Sequence, residues 1–138
     1  RNVDPKRLIF ANKLPLKKHL ARHSLGDLAL DTFNCNGHTT TSDALWAGLP
    51  VLTKIGESFA ARVSSSLLSA ISLPELITYS EAEYEEKALN IANNPNQLIK
   101  IKDQLARSKE TSPLYNSELF TRNLENKFKE LVKNEKPL

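Results

Sequence analysis

The apolar positions change their period along the chain. Residues 7–11 (RLIFA) are a short, nearly continuous apolar run and predict a strand. Pro15 suits a first helical turn, so a helix is predicted through Leu16, Leu20 and about His23, stopped by Gly26. Residues 27–31 (DLALD) predict a second strand, short and mostly apolar as for one buried on both faces. A helix over about 38–47, ended by Gly48, leads through Pro50 into a third strand at 51–54 (VLTK). Gly56 precedes a helix over about 57–71, where Phe59, Val63, Leu67 and Ile71 recur as one apolar stripe. A short extended piece is predicted near 76–79. Strands beginning near 7, 28 and 51 with a helix between each pair are the pattern of right-handed βαβ units on a parallel sheet.

From residue 80 onward the period is helical. Ser80 caps a helix to about Asn93, with Glu81, Glu83, Glu85 and Glu86 near its positive end. Pro95 opens a second helix carrying Leu98, Ile101 and Leu105, and residues 111–116 (TSPLYN) break it. A last helix carries Phe120, Leu124, Phe128 and Leu131 on one face. These stripes predict packing faces, against the sheet or against protein outside these 138 residues. The expected organisation is a partial Rossmann-like, α/β nucleotide-binding part at 1–79 and a helical segment of the same lobe at 80–138. Three strands are fewer than the about five or six of a doubly wound domain. The chain also starts at Arg1 and contains no methionine. The expectation is therefore an excised piece with further strands upstream. An apolar surface should lie exposed where they belong and drive self-association.

Composition narrows the class. Hydrophobic residues make up 40% and charged residues 25%, which excludes disorder from all but the lysine-rich ends. Net charge is only +3, and no dense Lys/Arg block is interleaved with aromatics, so nucleic acid is not an expected partner. Lys13, Lys17, Lys18, His19, Arg22 and His23 do cluster, and read equally as a solvated helix face or as a basic site. A single cysteine, Cys35, allows no internal disulfide and no zinc-ligand spacing, and fits a reducing, cytoplasmic setting. No apolar run reaches the length of a membrane span, so no membrane partner is expected.

The chemistry gathers at residues 30–47, LDTFNCNGHTTTSDALWA. A buried strand ends at Asp31, and a polar loop leads into a helix whose first turns hold His38, Thr39, Thr40, Thr41, Ser42 and Asp43. Unpaired N–H groups and partial positive charge make a helix start after a strand a ready anion site. Gly37 would let the backbone approach a ligand, and four consecutive hydroxyls would add donors. Phosphate or diphosphate suits such a site. Asp43 would repel a diphosphate if aimed at it, whereas ribose hydroxyls beside the phosphates would suit it. The competing interpretation is a heavily capped helix with no ligand. Leu45 and Trp46 are assigned to the core. No Gly-Lys-Ser/Thr phosphate loop and no G-x-G-x-x-G fingerprint is present.

The run LDTFNCNGHTTTSDALWAGLPVLT closely resembles the nucleotide-binding stretch of protein O-GlcNAc transferases, especially the bacterial type. PLKKHLARHSLGDLALDT, GESFAARV at 56–63 and SPLYN at 112–116 agree, so the likeness covers about residues 7–131. The related SPINDLY-type fucosyltransferases share the general pattern but lack a histidine at the position of His38. The resemblance implies a GT-B glycosyltransferase fold, with this chain as the later part of its C-terminal lobe. It implies that His38, Thr39 and Thr40 hold the diphosphate of UDP-GlcNAc and that Asp43 binds the ribose. His19 and Arg22 would contact the uracil, and Cys35 would lie near the N-acetyl group. It implies transfer of N-acetylglucosamine to Ser or Thr of a protein acceptor without a metal or other cofactor. No catalytic residue falls within this chain, because the family's important lysine, its acceptor-side residues and its helical repeats lie upstream. Leu16 departs from the family's animal members, which carry a lysine there. A fucosyl or other nucleotide-sugar transferase on the same scaffold, or a non-catalytic interaction module, remain the alternatives.

Overall fold

The computed structural model describes residues 3–134. Its centre is a three-stranded parallel sheet in the order β1 (Ala29–Leu30), β2 (Val51–Lys54), β3 (Ile77–Thr78). Ala29 pairs with Val51 and Leu30 with Leu52, then Thr53 with Ile77 and Lys54 with Thr78. The central strand buries Val51, Leu52 and Thr53, as expected for a strand covered on both faces. Around it run helices α1 (Leu16–Arg22), α2 (Thr39–Trp46), α3 (Val63–Ala70), α4 (Glu81–Asn93), α5 (Pro95–Thr111) and α6 (Ser117–Asn134). Leu45 of α2, Leu68 of α3, Ile91 of α4 and Ile101 and Leu105 of α5 meet Leu52 in one core. The sheet region and the two helices after it therefore share a single hydrophobic interior.

Local signals explain the starts of α4 and α5. The Ser80 hydroxyl accepts the Glu83 N–H at 3.1 Å, and the Glu83 carboxylate accepts the Tyr79 N–H at 2.8 Å. Asn94 accepts from Gln97 N–H, and Pro95 stands in the first turn of α5. The lysine-rich C-terminal end is helical as far as Asn134; residues 135–138 lie outside the described range.

Three sequence expectations are corrected and a fourth is narrowed. Residues 7–11 form no strand. A short 3-10 turn covers Pro5–Arg7, and Phe10 is 91% exposed. A strand needs a ladder partner, and 7–11 pairs with no strand: the Ala29 and Asp31 N–H groups bond to the Pro50 and Leu52 carbonyls on one side, and the other edge of β1 has no described partner. The third strand comes from Ile77–Thr78 instead.

The stripe on 57–71 is also displaced. A 3-10 turn, Phe59–Ala61, precedes α3, and Arg62 between them leaves the helical region. That break resets the phase, so Ala61, Ser64, Ser65, Leu68 and Ile71 turn inward while Phe59 is 81% exposed.

Trp46, expected in the core, is half exposed. The inward side of α2 carries Thr41, Ala44 and Leu45, which puts Trp46 outside, edge-on to Tyr115 at 5.0 Å and under the Lys109 ammonium. Finally, Phe120, Leu124, Phe128 and Leu131 do share one face of α6, but it does not pack on the sheet, and all four are exposed.

An apolar groove of about 450 Å³ lies along the outer side of β1, lined by Leu28, Leu30, Ala88, Leu89, Ala92 and Leu98. No described residue pairs with that edge of β1.

Candidate nucleotide-binding site

The site is built where β1 ends. The Asp31 carboxylate accepts the Thr32 N–H at 2.9 Å, the Gly37 N–H at 2.7 Å and the Thr53 hydroxyl at 2.7 Å. Its carbonyl accepts the Tyr84 hydroxyl at 3.0 Å. Inside the loop so closed, Asn36 is buried and donates to the Thr32 carbonyl at 3.0 Å, and Thr32 donates to the Cys35 carbonyl at 2.6 Å. Asn34 takes the left-handed turn with φ of 64°, a conformation that asparagine tolerates. The loop is also tied outward, by the Asn36 N–H to the Ala60 carbonyl at 2.8 Å.

Gly37 turns out to be needed for a different reason from the one expected. A Cβ there would lie 2.5 Å from the Thr41 hydroxyl and 2.6 Å from that of Thr40. Its N–H is bonded to Asp31 and its carbonyl to the Ser64 hydroxyl at 2.9 Å. The glycine thus admits the helix's own threonines. Thr41 is likewise not an available donor: it is buried, with its hydroxyl 2.8 Å from that of Ser64.

What remains open is the outer side of the start of α2. His38 is the N-cap residue and makes no side-chain capping bond. The Ser42 N–H reaches the His38 carbonyl at 3.1 Å, so the N–H groups of Thr39, Thr40 and Thr41 precede the first intrahelical bond. The His38, Thr39 and Thr40 side chains are exposed, and half-buried Asp43 follows one turn later on the Thr39 side of the helix. The His38 ring sits edge-on to Phe59, 6.1 Å between centroids. Cys35 is an exposed free thiol in the same loop.

Helix α1 supplies the opposite wall. An Arg22 nitrogen lies 2.8 Å from His19 Nδ1, and a second donates to the Asn12 carbonyl at 2.8 Å. Arginine only donates, so His19 Nδ1 accepts and the ring proton lies on Nε2. His23 Nδ1 donates to the His19 carbonyl at 2.9 Å, with the two rings edge-to-face at 4.8 Å. A cleft of about 230 Å³ is lined by His23, Asp31, Thr40 and Thr41. The end of α1 and the start of α2 thus converge. His23 borders this cleft itself, whereas His19 and Arg22 are not among the residues that line it.

Two phenols brace the site from the helical segment. Tyr84 is pushed up to about 12 by burial and then by the Asp31 charge. Tyr115, donating to the Ser42 carbonyl at 3.1 Å, is pushed up to about 12, chiefly by burial, with the Asp43 charge adding to it. Both stay protonated donors across the neutral range. Among the described residues no group of three His, Cys, Asp or Glu side chains is placed to hold a metal ion, and no helix is long and apolar enough to cross a membrane.

Sequence reasoning missed Asp31, Thr53, Ser64 and Tyr84. Asp31 had a signal, as the polar residue that ends an apolar strand just before the loop. The other three are 22 to 53 residues away from their partners, with nothing local to mark them.

A parallel α/β unit with an open helix start at its strand ends is a Rossmann-like arrangement, of the kind that suits an anion. Residues 1–124 match the model of glycosyl transferase family 41, and the chain belongs to that family. It is 40% identical over 129 residues to a probable UDP-N-acetylglucosamine-peptide N-acetylglucosaminyltransferase of Arabidopsis thaliana, covering 93% of this chain and 13% of that protein. It is 34% identical over 125 residues to the corresponding Caenorhabditis elegans enzyme, covering 91% and 11%. A mutant O-GlcNAc transferase of Thermobaculum terrenum superposes with a TM-score of 0.89 at 33% identity, over 94% of this chain and 25% of that one. The architecture is thus that of part of a GT-B glycosyltransferase. The chain spans about an eighth of the curated relatives it matches.

Proposed function

We propose that this chain is the donor-nucleotide part of a glycosyltransferase that moves N-acetylglucosamine from UDP-GlcNAc to protein Ser or Thr hydroxyls with inversion. The observation that carries the reading is the open start of α2, with three N–H groups beside exposed His38, Thr39 and Thr40. The names of the relatives support the donor and the acceptor class.

In this reading the helix start and its side chains hold the diphosphate. The bond from the anomeric carbon to the β-phosphate oxygen breaks, and a bond to the acceptor oxygen forms. The negative charge left on UDP is met by donors already in place, which is how such a site lowers the barrier without a metal. Asp43 accepts from the ribose hydroxyls. His19 offers its ring and Nε2–H to the uracil, held by Arg22 and His23, and Cys35 lies toward the N-acetyl group. The acceptor side and the catalytic groups belong to the rest of the enzyme, so the isolated chain is inactive. The free thiol of Cys35 fits a cytoplasmic setting.

The test is calorimetric titration of the complete enzyme with UDP and GDP. Clear preference for UDP, weakened by His19→Ala, is expected. Equal affinities for the two nucleotides would reject the uridine-donor reading and reopen the fucosyltransferase alternative.

A further inference from the structure

We infer that Asp31 is the positioning residue that sets the diphosphate-binding geometry of α2, resting on the donor reading above. Its carboxylate cannot serve a ligand well, since three protein donors already occupy its two oxygens. Those donors come from the two ends of the loop, Thr32 and Gly37, and from the central strand, Thr53. A single side chain therefore fixes the loop's exit relative to the sheet.

The constraint passes directly to the helix start. Gly37 is held on its N–H by Asp31 and on its carbonyl by Ser64, whose hydroxyl also meets Thr41. Gly37 is the residue before His38, the N-cap. With both sides of Gly37 fixed, the direction of the next N–H groups is fixed as well. Releasing the Asp31 bonds would let the helix start swing, and the groups aimed at a diphosphate would lose their common focus. The base contacted from His19, on α1, does not depend on that focus, and Asp43 stands a turn further along α2 than the three open N–H groups.

The complete enzyme should be titrated with UDP and, separately, with uridine, which lacks phosphates. Asp31→Ala should weaken UDP about tenfold or more, while uridine stays within about twofold of wild type. Asp31→Asn should restore UDP affinity to within about threefold, because its Oδ1 still accepts both N–H groups and its amide can donate to Thr53. If Asp31→Ala does not fold, Thr53→Val supplies the same test by freeing one oxygen, with a smaller loss confined to UDP. The role would be overturned by UDP and uridine weakening together, or by a lowered Tm with UDP affinity unchanged. An asparagine as damaging as alanine would overturn it too. A wild-type enzyme that binds no UDP would strike the donor reading itself, whereas wild-type binding with indifferent Asp31 variants would strike only this role.

Discussion

At the scale of the residue, chemistry and support are separated at the end of β1. His38, Thr39 and Thr40 point outward, while Thr41, in the same run, is buried and bonded to Ser64. Asp43 lies on the outer side and should matter to binding more than to folding. In the complete enzyme Asp43→Ala should weaken UDP by about 1.5–3 kcal/mol, roughly 10- to 150-fold, as for loss of a charge-assisted hydrogen bond. An unchanged Kd by calorimetry would remove Asp43 from the ribose. The buried phenols make a prediction in pH. Tyr84 and Tyr115 ionise at about 12 in the folded chain, against 10.0 for a free phenol. Above pH 10 the unfolded chain loses protons that the folded chain keeps. Their contribution is therefore fully present below about pH 10 and is lost as the pH rises through about 12. Denaturant melts across that range should show the fall, and Tyr115→Phe should flatten it while costing about 1 kcal/mol near neutral pH.

At the scale of the element, α2 and its loop form one rigid unit because side chains from distant segments hold it. Gly37→Ala would push a methyl group into the Thr40 and Thr41 hydroxyls, about 1 Å inside contact distance. Overpacking of this kind costs about 1–3 kcal/mol, and here the strain falls on the start of α2, where the diphosphate is proposed to bind. Reduced Tm together with weaker UDP binding is expected; a variant with wild-type Tm and affinity would show that the helix start shifts freely. Sequence legibility varied between elements for the same reason. The spans of β2 and α4 were readable because a short apolar run, or a serine cap followed by acidic residues, is local information. The inward face of α3 was not, because the break at Arg62 rotates it relative to the 3-10 turn before it.

At the scale of the whole molecule, apolar surface is left uncovered in three places. The outer side of β1, the run Leu8, Ile9 and Phe10, and the stripe on α6 are all exposed. Surface of this kind favours association. The isolated 138-residue chain should therefore show mass above that of a monomer in sedimentation, decreasing with Phe10→Ser and Phe128→Ser together. A strictly monomeric chain at high concentration would contradict this. Turnover should be absent as well, since donor and acceptor must be held together for transfer. Peptide glycosylation by the isolated chain would contradict that.

By itself the sequence determined the parallel α/β plan and the strand–loop–helix segment at 30–47, and it marked residues 38–43 as candidate chemistry without telling the outward side chains from buried Thr41. Each rests on information within a few residues: apolar period, turn residues and the unpaired N–H groups of a helix start. Only the tertiary structure decided that 77–78 and not 7–11 supplies the third strand, since pairing depends on which segment packing brings alongside the sheet. It alone showed that Trp46 lies outside and that Arg22 grips His19. It alone brought Asp31 to Thr53, Ser64 to Gly37 and Tyr84 to Asp31, contacts that span 22 to 53 residues. A hydrogen bond across such a distance leaves no periodic trace in the chain. It exists because packing of the sheet and helices fixes the backbone positions first, and the polar side chains then find the partners those positions allow.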